Sequence, residues 1–216
     1  RLSILGSSDG EPTIVGLYAN RTVGTLYVNA PKGGVEFGAP GSFVARNLTV
    51  RDTLRIIEGG FTNTSGTNAI LNLAGNARQV VSLPPAGLTL PGGASAVHLL
   101  LNNSEGCLLT GGDLKFSAGA IIFLVNGVLD AGEQAVVLSR TVTSQGFDRL
   151  SVSGSSTSHV LGRVRQSITG GAGSADVYPN GRYEFPTGSP TDYRPLAITF
   201  TNAYPARNPG ELEVSH

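Results

Sequence analysis

The chain of 216 residues carries 15 basic and 15 acidic residues, so its formal charge at neutral pH is +0. Nothing in that balance suggests a nucleic-acid or anionic-membrane partner. Only 14% of the residues are charged, Gly stands at 30, and Trp and Met are absent, a composition suited to short strands and tight turns rather than helices.

The opening, "RLSILGSSDGEPTIVG" (Arg1–Gly16), is similar to "AILNLAGNARQVVS" (Ala69–Ser82). The chain is therefore expected to begin in the tail of a preceding repeat. It starts at Arg1 without Met or a signal peptide, as a processed or excised chain would. Next comes "TVGTLYVNAPKGGVEFG" (Thr22–Gly38), whose skeleton returns in "SAVHLLLNNSEGCLLTG" (Ser95–Gly111). Both run as alternating apolar residues, then Asn, a variable stretch, Gly, a second apolar run and Gly. The match continues into Asn47–Gly75 and Asp113–Arg140, setting Leu48 against Leu114, Val50 against Phe116, Gly60 against Gly127 and Ile70 against Val136. The first copy carries extra residues around "APGSFVAR" (Ala39–Arg46), read as a turn.

Within each copy the runs are short: "TLYVN", "GVEFG", "LTV", "LRIIEGG", "AILNLAG". Asn and Gly tolerate the left-handed backbone of a sharp corner. Short strands cut by such corners predict a parallel β-solenoid (β-helix), each turn stacking on the last and burying one apolar row. The solenoid is expected over residues 1–165, as two diverged repeats at about 17–82 and 90–150 plus the tail of a preceding one. Leu26, Val28, Leu99, Leu101, Leu114, Phe116 and Val136 are predicted to point inward. Asn29 and Asn102 are expected at equivalent corners, their amides stacked. A β-sandwich is the rival, opposed by the repeat and by the scarcity of Asn-Gly hairpin signals (Asn126-Gly127 and Asn180-Gly181).

After the Ser/Gly-rich passage Ser151–Asp176 come "GRYEFPTGSPTDYRPLAITFTNA" and "GELEVSH". Pro186, Pro190 and Pro195 exclude a central strand there, while "LAITFTN" and "LEV" alternate. Residues 166–216 therefore read as a small antiparallel, sandwich-like β-module, short of a self-sufficient core. The fold class expected is all-β.

These segments together, the repeated "L-x-L-N-N-x-x-G" skeleton with "SSTSHVLGRVRQSI" and "YEFPTGSPTDYRPLAITFTNA", resemble parts of large secreted and surface proteins of Bacteroidota and their relatives. Such proteins often end in a type IX secretion sorting domain, and this chain stops at His216 with none in view. The resemblance implies export and an adhesin-like or structural role, with no catalytic residues to carry over. The triplet Asp52-Thr53-Leu54 matches the O-glycosylation acceptor pattern of that group, which makes Thr53 a candidate modification site.

Chemistry-bearing residues form no site on paper. The carboxylates are scattered, and Asp130 with Glu133 is the nearest to a pair, read as a solvated turn. His98, His159 and His216 lack metal-ligand spacing, and His98 is expected outward on a strand. The many serines are not read as a nucleophile: the one G-x-S-x-G match, "GSSDG" (Gly6–Gly10), runs on into Glu11-Pro12 and a strand pattern, not into the helix that a nucleophile elbow needs. "GGAGSAD" (Gly170–Asp176) is a single degenerate copy of a calcium-turn pattern that works by tandem stacking, and reads as an interdomain turn. Asp192, Tyr193 and Arg194 read as a loop whose Tyr fills a core. N-x-S/T sequons at Asn20, Asn47, Asn63 and Asn102 follow from composition. The one cysteine, Cys107, allows no intrachain disulfide and is expected buried. The longest apolar run, "AIIFLV" (Ala120–Val125), falls far short of the roughly 20 residues of a membrane span.

The function expected is a structural extracellular or cell-surface protein: a filament subunit or adhesin, with no catalysis, cofactor or metal. It would self-associate head to tail through an unpartnered first strand (Leu2, Ile4, Leu5) and a last one (Leu212, Val214). Cell-surface polysaccharide is a further candidate partner; nucleic acid and membrane insertion are excluded. The alternative is a carbohydrate-binding or polysaccharide-cleaving β-helix, which the low aromatic content, 6% with no Trp, disfavours.

Overall fold

A short alternating strand buries its apolar row only if something stacks on it. Here the next turn of the same coil does so. The structure, a computed structural model, describes residues 1–7, 11–38, 44, 46–139, 142–143, 146–147, 154–168, 182–199 and 210–215. "GGAGSAD" and most of "APGSFVAR" lie outside the described residues.

The first half of the chain forms β1 (Leu2–Leu5), β2 (Ile14–Leu17), β3 (Arg21–Phe37), β4 (Asn47–Asn63), β5 (Ala69–Leu73), β6 (Gln79–Ser82) and β7 (Leu88–Leu90). Then come β8 (Val97–Asn102), β9 (Cys107–Thr110), β10 (Leu114–Phe116), β11 (Ile122–Asn126), β12 (Leu129–Leu138), β13 (Val142–Thr143) and β14 (Gly146–Phe147). The last are β15 (Val160–Ile168), β16 (Arg182–Phe185), β17 (Thr187–Gly188), β18 (Leu196–Thr199) and β19 (Gly210–Val214).

The fold is a parallel β-solenoid of about six turns. Each turn has three faces, and β3 and β4 run through their corners without a break. On the first face, Leu48, Leu71, Leu99 and Ile122 stand one above another in β4, β5, β8 and β11. On the second, Leu2, Leu26, Leu54, Val81 and Leu109 form the corresponding row. On the third, Leu90, Phe116 and Leu138 stack in β7, β10 and β12. Every predicted inward residue is buried, and the buried apolar side chains form a single cluster along the axis.

These registers correct the equivalences drawn from the sequence. Leu26 belongs to the second face and Leu99 to the first, so the two similar segments are displaced by one face around the coil. Asn29 pairs with Glu58 and Asn102 with Asn126, at different places on the coil. The skeleton repeats because every corner makes the same demand: an apolar row, then a residue that can turn.

The C-terminal part folds onto the same coil. β17 pairs in parallel with β15, while β19 adds to β15 antiparallel, placing Val214 beside Val164 and Leu212 beside Gln166. β16 and β18 form an antiparallel pair, and β13 with β14 another. Tyr183 and Phe185 of β16 are buried in the solenoid's own cluster, and Gln166 donates from Nε2 to the Glu184 carbonyl. This hairpin covers the last turn.

The inward rule yields a direct contrast. Leu101→Ala removes a fully buried side chain and should cost about 2–5 kcal/mol. Glu105→Ala, at an exposed position, should stay within about 0.5 kcal/mol. Urea denaturation of both variants measures the difference, and equal effects would contradict the assignment.

Candidate functional site

The turn formed by β1 and β2 differs from the others described. β1 and β2 each pair with β3 alone, leaving their other edges without a ladder partner among the described residues. Such edges are templates for another strand. Alternation puts Ile4 in the core, 2% exposed, and Val15 and Leu17 against Val35 and Phe37. The outward and corner positions are apolar as well: Leu5 is 58%, Ile14 53% and Tyr18 69% exposed. Among the described residues, three of the seven exposed large apolar side chains thus sit together on the turn of β1 and β2. Leu2, predicted as a contact residue, is partly buried against the core. Arg1 lies over the Tyr27 ring, 5.9 Å from its centroid, with Arg55 at 5.8 Å.

At the other end, Leu212 and Val214 face inward, partly buried, and the outward positions of β19 are Glu211 and Glu213. Glu213 accepts from Arg165 Nε at 2.5 Å. The predicted first- and last-strand residues therefore occupy opposite ends of the coil. Thr53 lies on the outer side of the second face, half-buried, between Thr25 and Val80.

A polar ladder runs inside the corner between the first and second faces. Gln79 donates from Nε2 to the Val50 carbonyl at 2.9 Å, and its Oε1 accepts from Asn103 Nδ2 at 2.9 Å. Asn103 also donates to the Ala77 carbonyl and accepts the Glu105 N–H. The structural corner amide is thus Asn103, buried, and not its exposed neighbour Asn102. Cys107, paired in register with Gln79 from the next turn, directs its thiol at Gln79 Oε1 at 3.7 Å. Burial pushes that thiol up to about 12, against a smaller opposing effect of the Arg78 charge.

Two outcomes are expected for Cys107. A thiol reagent at pH 8 should leave the native chain unlabelled and modify one thiol per chain after denaturation, because the thiolate is the nucleophile. The native state also holds this proton more tightly than the unfolded one, so stability should fall as pH rises from about 9 towards 12.

On the outside of the same corner an open cleft of about 310 Å³ crosses successive turns. Arg78 and Asp130 form an ion pair in it, Nη2 to Oδ2 at 2.5 Å, with Glu105 on its wall. Asp130 Oδ1 also accepts the Gly132 N–H at 3.0 Å; Asp130 and Glu133, expected in a solvated turn, both lie within β12, whose register shifts between Asp130 and Ala135.

His98 and His159 have structural roles, and His216 lies outside the described residues. His98 does point away from the solenoid core, as its strand position requires, but it is buried rather than exposed. Its Nδ1 accepts the Ile121 N–H at 3.1 Å and its ring meets Phe123 edge-on at 5.6 Å. Burial lowers its pKa from the ordinary histidine value. His159 is buried beside Tyr193, with Nδ1 3.2 Å from the Ser155 carbonyl oxygen and Nε2 2.8 Å from that of Ser189. It ties two C-terminal turns together, and neither nitrogen addresses a serine hydroxyl. Arg194 pairs with Asp192 at 3.1 Å, both largely exposed.

The described residues include no group of three or more His, Cys, Asp or Glu placed to hold a metal ion. None of their helices is long and apolar enough to cross a membrane. Compared with known proteins, the chain matches no protein family model, no curated protein and no solved structure.

Proposed function

We propose that the protein is a structural component of the cell exterior, a subunit of a surface filament or adhesin built through β-strand contacts between subunits. The β-solenoid is a repeat architecture that provides length and stiffness, consistent with a structural role. The observation that supports the assembly is the turn of β1 and β2, whose outer edges have no ladder partner among the described residues and beside which Leu5, Ile14 and Tyr18 are exposed. At the far end β19 has β15 as its only ladder partner among the described residues. A second copy stacked head to tail sets its β2 against that outer edge on the same face. Such a contact joins two different surfaces and propagates as a filament unless it closes into a ring.

The absence of catalysis is part of the reading. The best-placed carboxylates are engaged structurally: Asp130 with Arg78, Asp113 with the Ala135 N–H and Arg165, Glu213 with Arg165, Glu36 with the Thr64 hydroxyl. An extracellular location rests on the secreted-protein resemblance of "SSTSHVLGRVRQSI" and "YEFPTGSPTDYRP".

Leu5→Lys and Ile14→Lys test the joint without touching the core. Each should leave folding stability within about 0.5 kcal/mol, since both side chains are exposed. Each should also abolish fibres in negative-stain micrographs. Fibres of unchanged repeat from both variants would place the joint elsewhere.

A further inference from the structure

We infer that the cleft along the corner between the first and second faces is a binding site for a short, uncharged oligosaccharide. The cleft lies on successive turns of the coil. Arg78 comes from the corner after β5, Ser104–Gly106 from the corner after β8, and Val128 from the corner after β11. Asp130 and Leu161 follow on β12 and β15, directly paired in register. Neighbouring strands are about 4.8 Å apart, so the span from Arg78 to Leu161 is about 14 Å. The lining therefore extends along the axis over about three turn spacings, a length that suits a short linear ligand.

Its chemistry narrows the class. The charged side chains are Arg78, Glu105 and Asp130, one positive against two negative, so an anionic chain such as a uronate polymer meets net repulsion. The guanidinium is already held by Asp130, at 2.5 Å, and cannot serve as an unopposed anion clamp. What the pair does offer is a mixed edge of N–H donors and carboxylate acceptors, to which Glu105 adds two more acceptor oxygens. Hydroxyl groups, which both donate and accept, match such an edge. Val128, Leu161 and Pro190 supply apolar contact for the C–H face of a ring. A few polar groups on a partly apolar concave surface is the usual make-up of a small-ligand site, and this volume is at the lower end of the range. No aromatic side chain lines the cleft, so binding is weak per site and gains strength only when many copies act together. The inference adds a ligand to the surface reading, and its test does not depend on filament formation.

The test is titration of the isotope-labelled Ile14→Lys chain, kept unassembled so that its amide signals are sharp, with cellotriose, maltotriose, xylotriose and mannotriose, and with trigalacturonate as the charged comparison. At least one neutral trisaccharide should shift the amide signals of Ser104, Glu105, Gly106 and Val128, saturating in the millimolar range. Glu105→Ala, at an exposed position, should weaken that binding at least tenfold while leaving the remaining spectrum folded. Absence of shifts at these amides with all four neutral sugars would overturn the assignment. So would tighter binding of trigalacturonate, or undiminished binding by Glu105→Ala.

Discussion

Phe116→Ala should be among the most damaging single truncations in the solenoid, costing about 3–5 kcal/mol. The side chain is 0% exposed and stacks between Leu90 of one turn and Leu138 of the next, themselves fully buried. β10 is only three residues long, so the row loses its largest member with little local structure to close the gap. Against a total stability of about 5–15 kcal/mol, that loss is large enough to unfold much of the protein at elevated temperature. Urea denaturation monitored by circular dichroism gives the value. A cost below about 1 kcal/mol would show that the third face is not packed as described.

Gly127→Ala should be comparably severe for a different reason. Gly127 has φ of 91°, a left-handed conformation that costs a residue with a Cβ about 1–2 kcal/mol. A Cβ built there would lie 1.7 Å from the Asn103 carbonyl oxygen, which belongs to the turn beneath. The backbone cannot retreat easily, because the Gly127 N–H donates to the Thr157 carbonyl in the turn above at 2.8 Å. Overpacking of this kind adds about 1–3 kcal/mol. A drop of about 2–5 kcal/mol is expected, measured as for Phe116→Ala. A stability unchanged by the added methyl would mean that neighbouring turns approach less closely at this corner.

The inward rows were legible because alternation at period two has one physical meaning in a half-buried strand, and Leu26, Val28, Leu99, Leu101, Leu114, Phe116 and Val136 all obey it. The coil period was not. Any face followed by any corner gives the same short pattern, so Thr22–Gly38 matched Ser95–Gly111 although one covers the second and third faces and the other the first and second. Alternation also hid the internal amides. It treats a polar residue as outward, whereas Gln79 and Asn103 lie inside and answer each other across turns. His98 shows the converse, a residue facing away from the core that is buried against Phe123. The exposed apolar cluster on the turn of β1 and β2 was half visible. Leu2, Ile4 and Leu5 stood out as an apolar run, but the exposure of Ile14 and Tyr18 emerges only once β2 is known to have a single partner. The cleft could not be seen at all, since Arg78 and Asp130 are brought together by turns that the sequence does not phase.

The central claim, that these solenoids stack end to end, is tested most directly by fibre diffraction from aligned, concentrated native protein. Subunits joined along the coil axis should give fibres with a meridional reflection near 4.8 Å, the spacing between successive turns. A sample that stays monomeric as concentration rises, or fibres with that reflection on the equator, would contradict it.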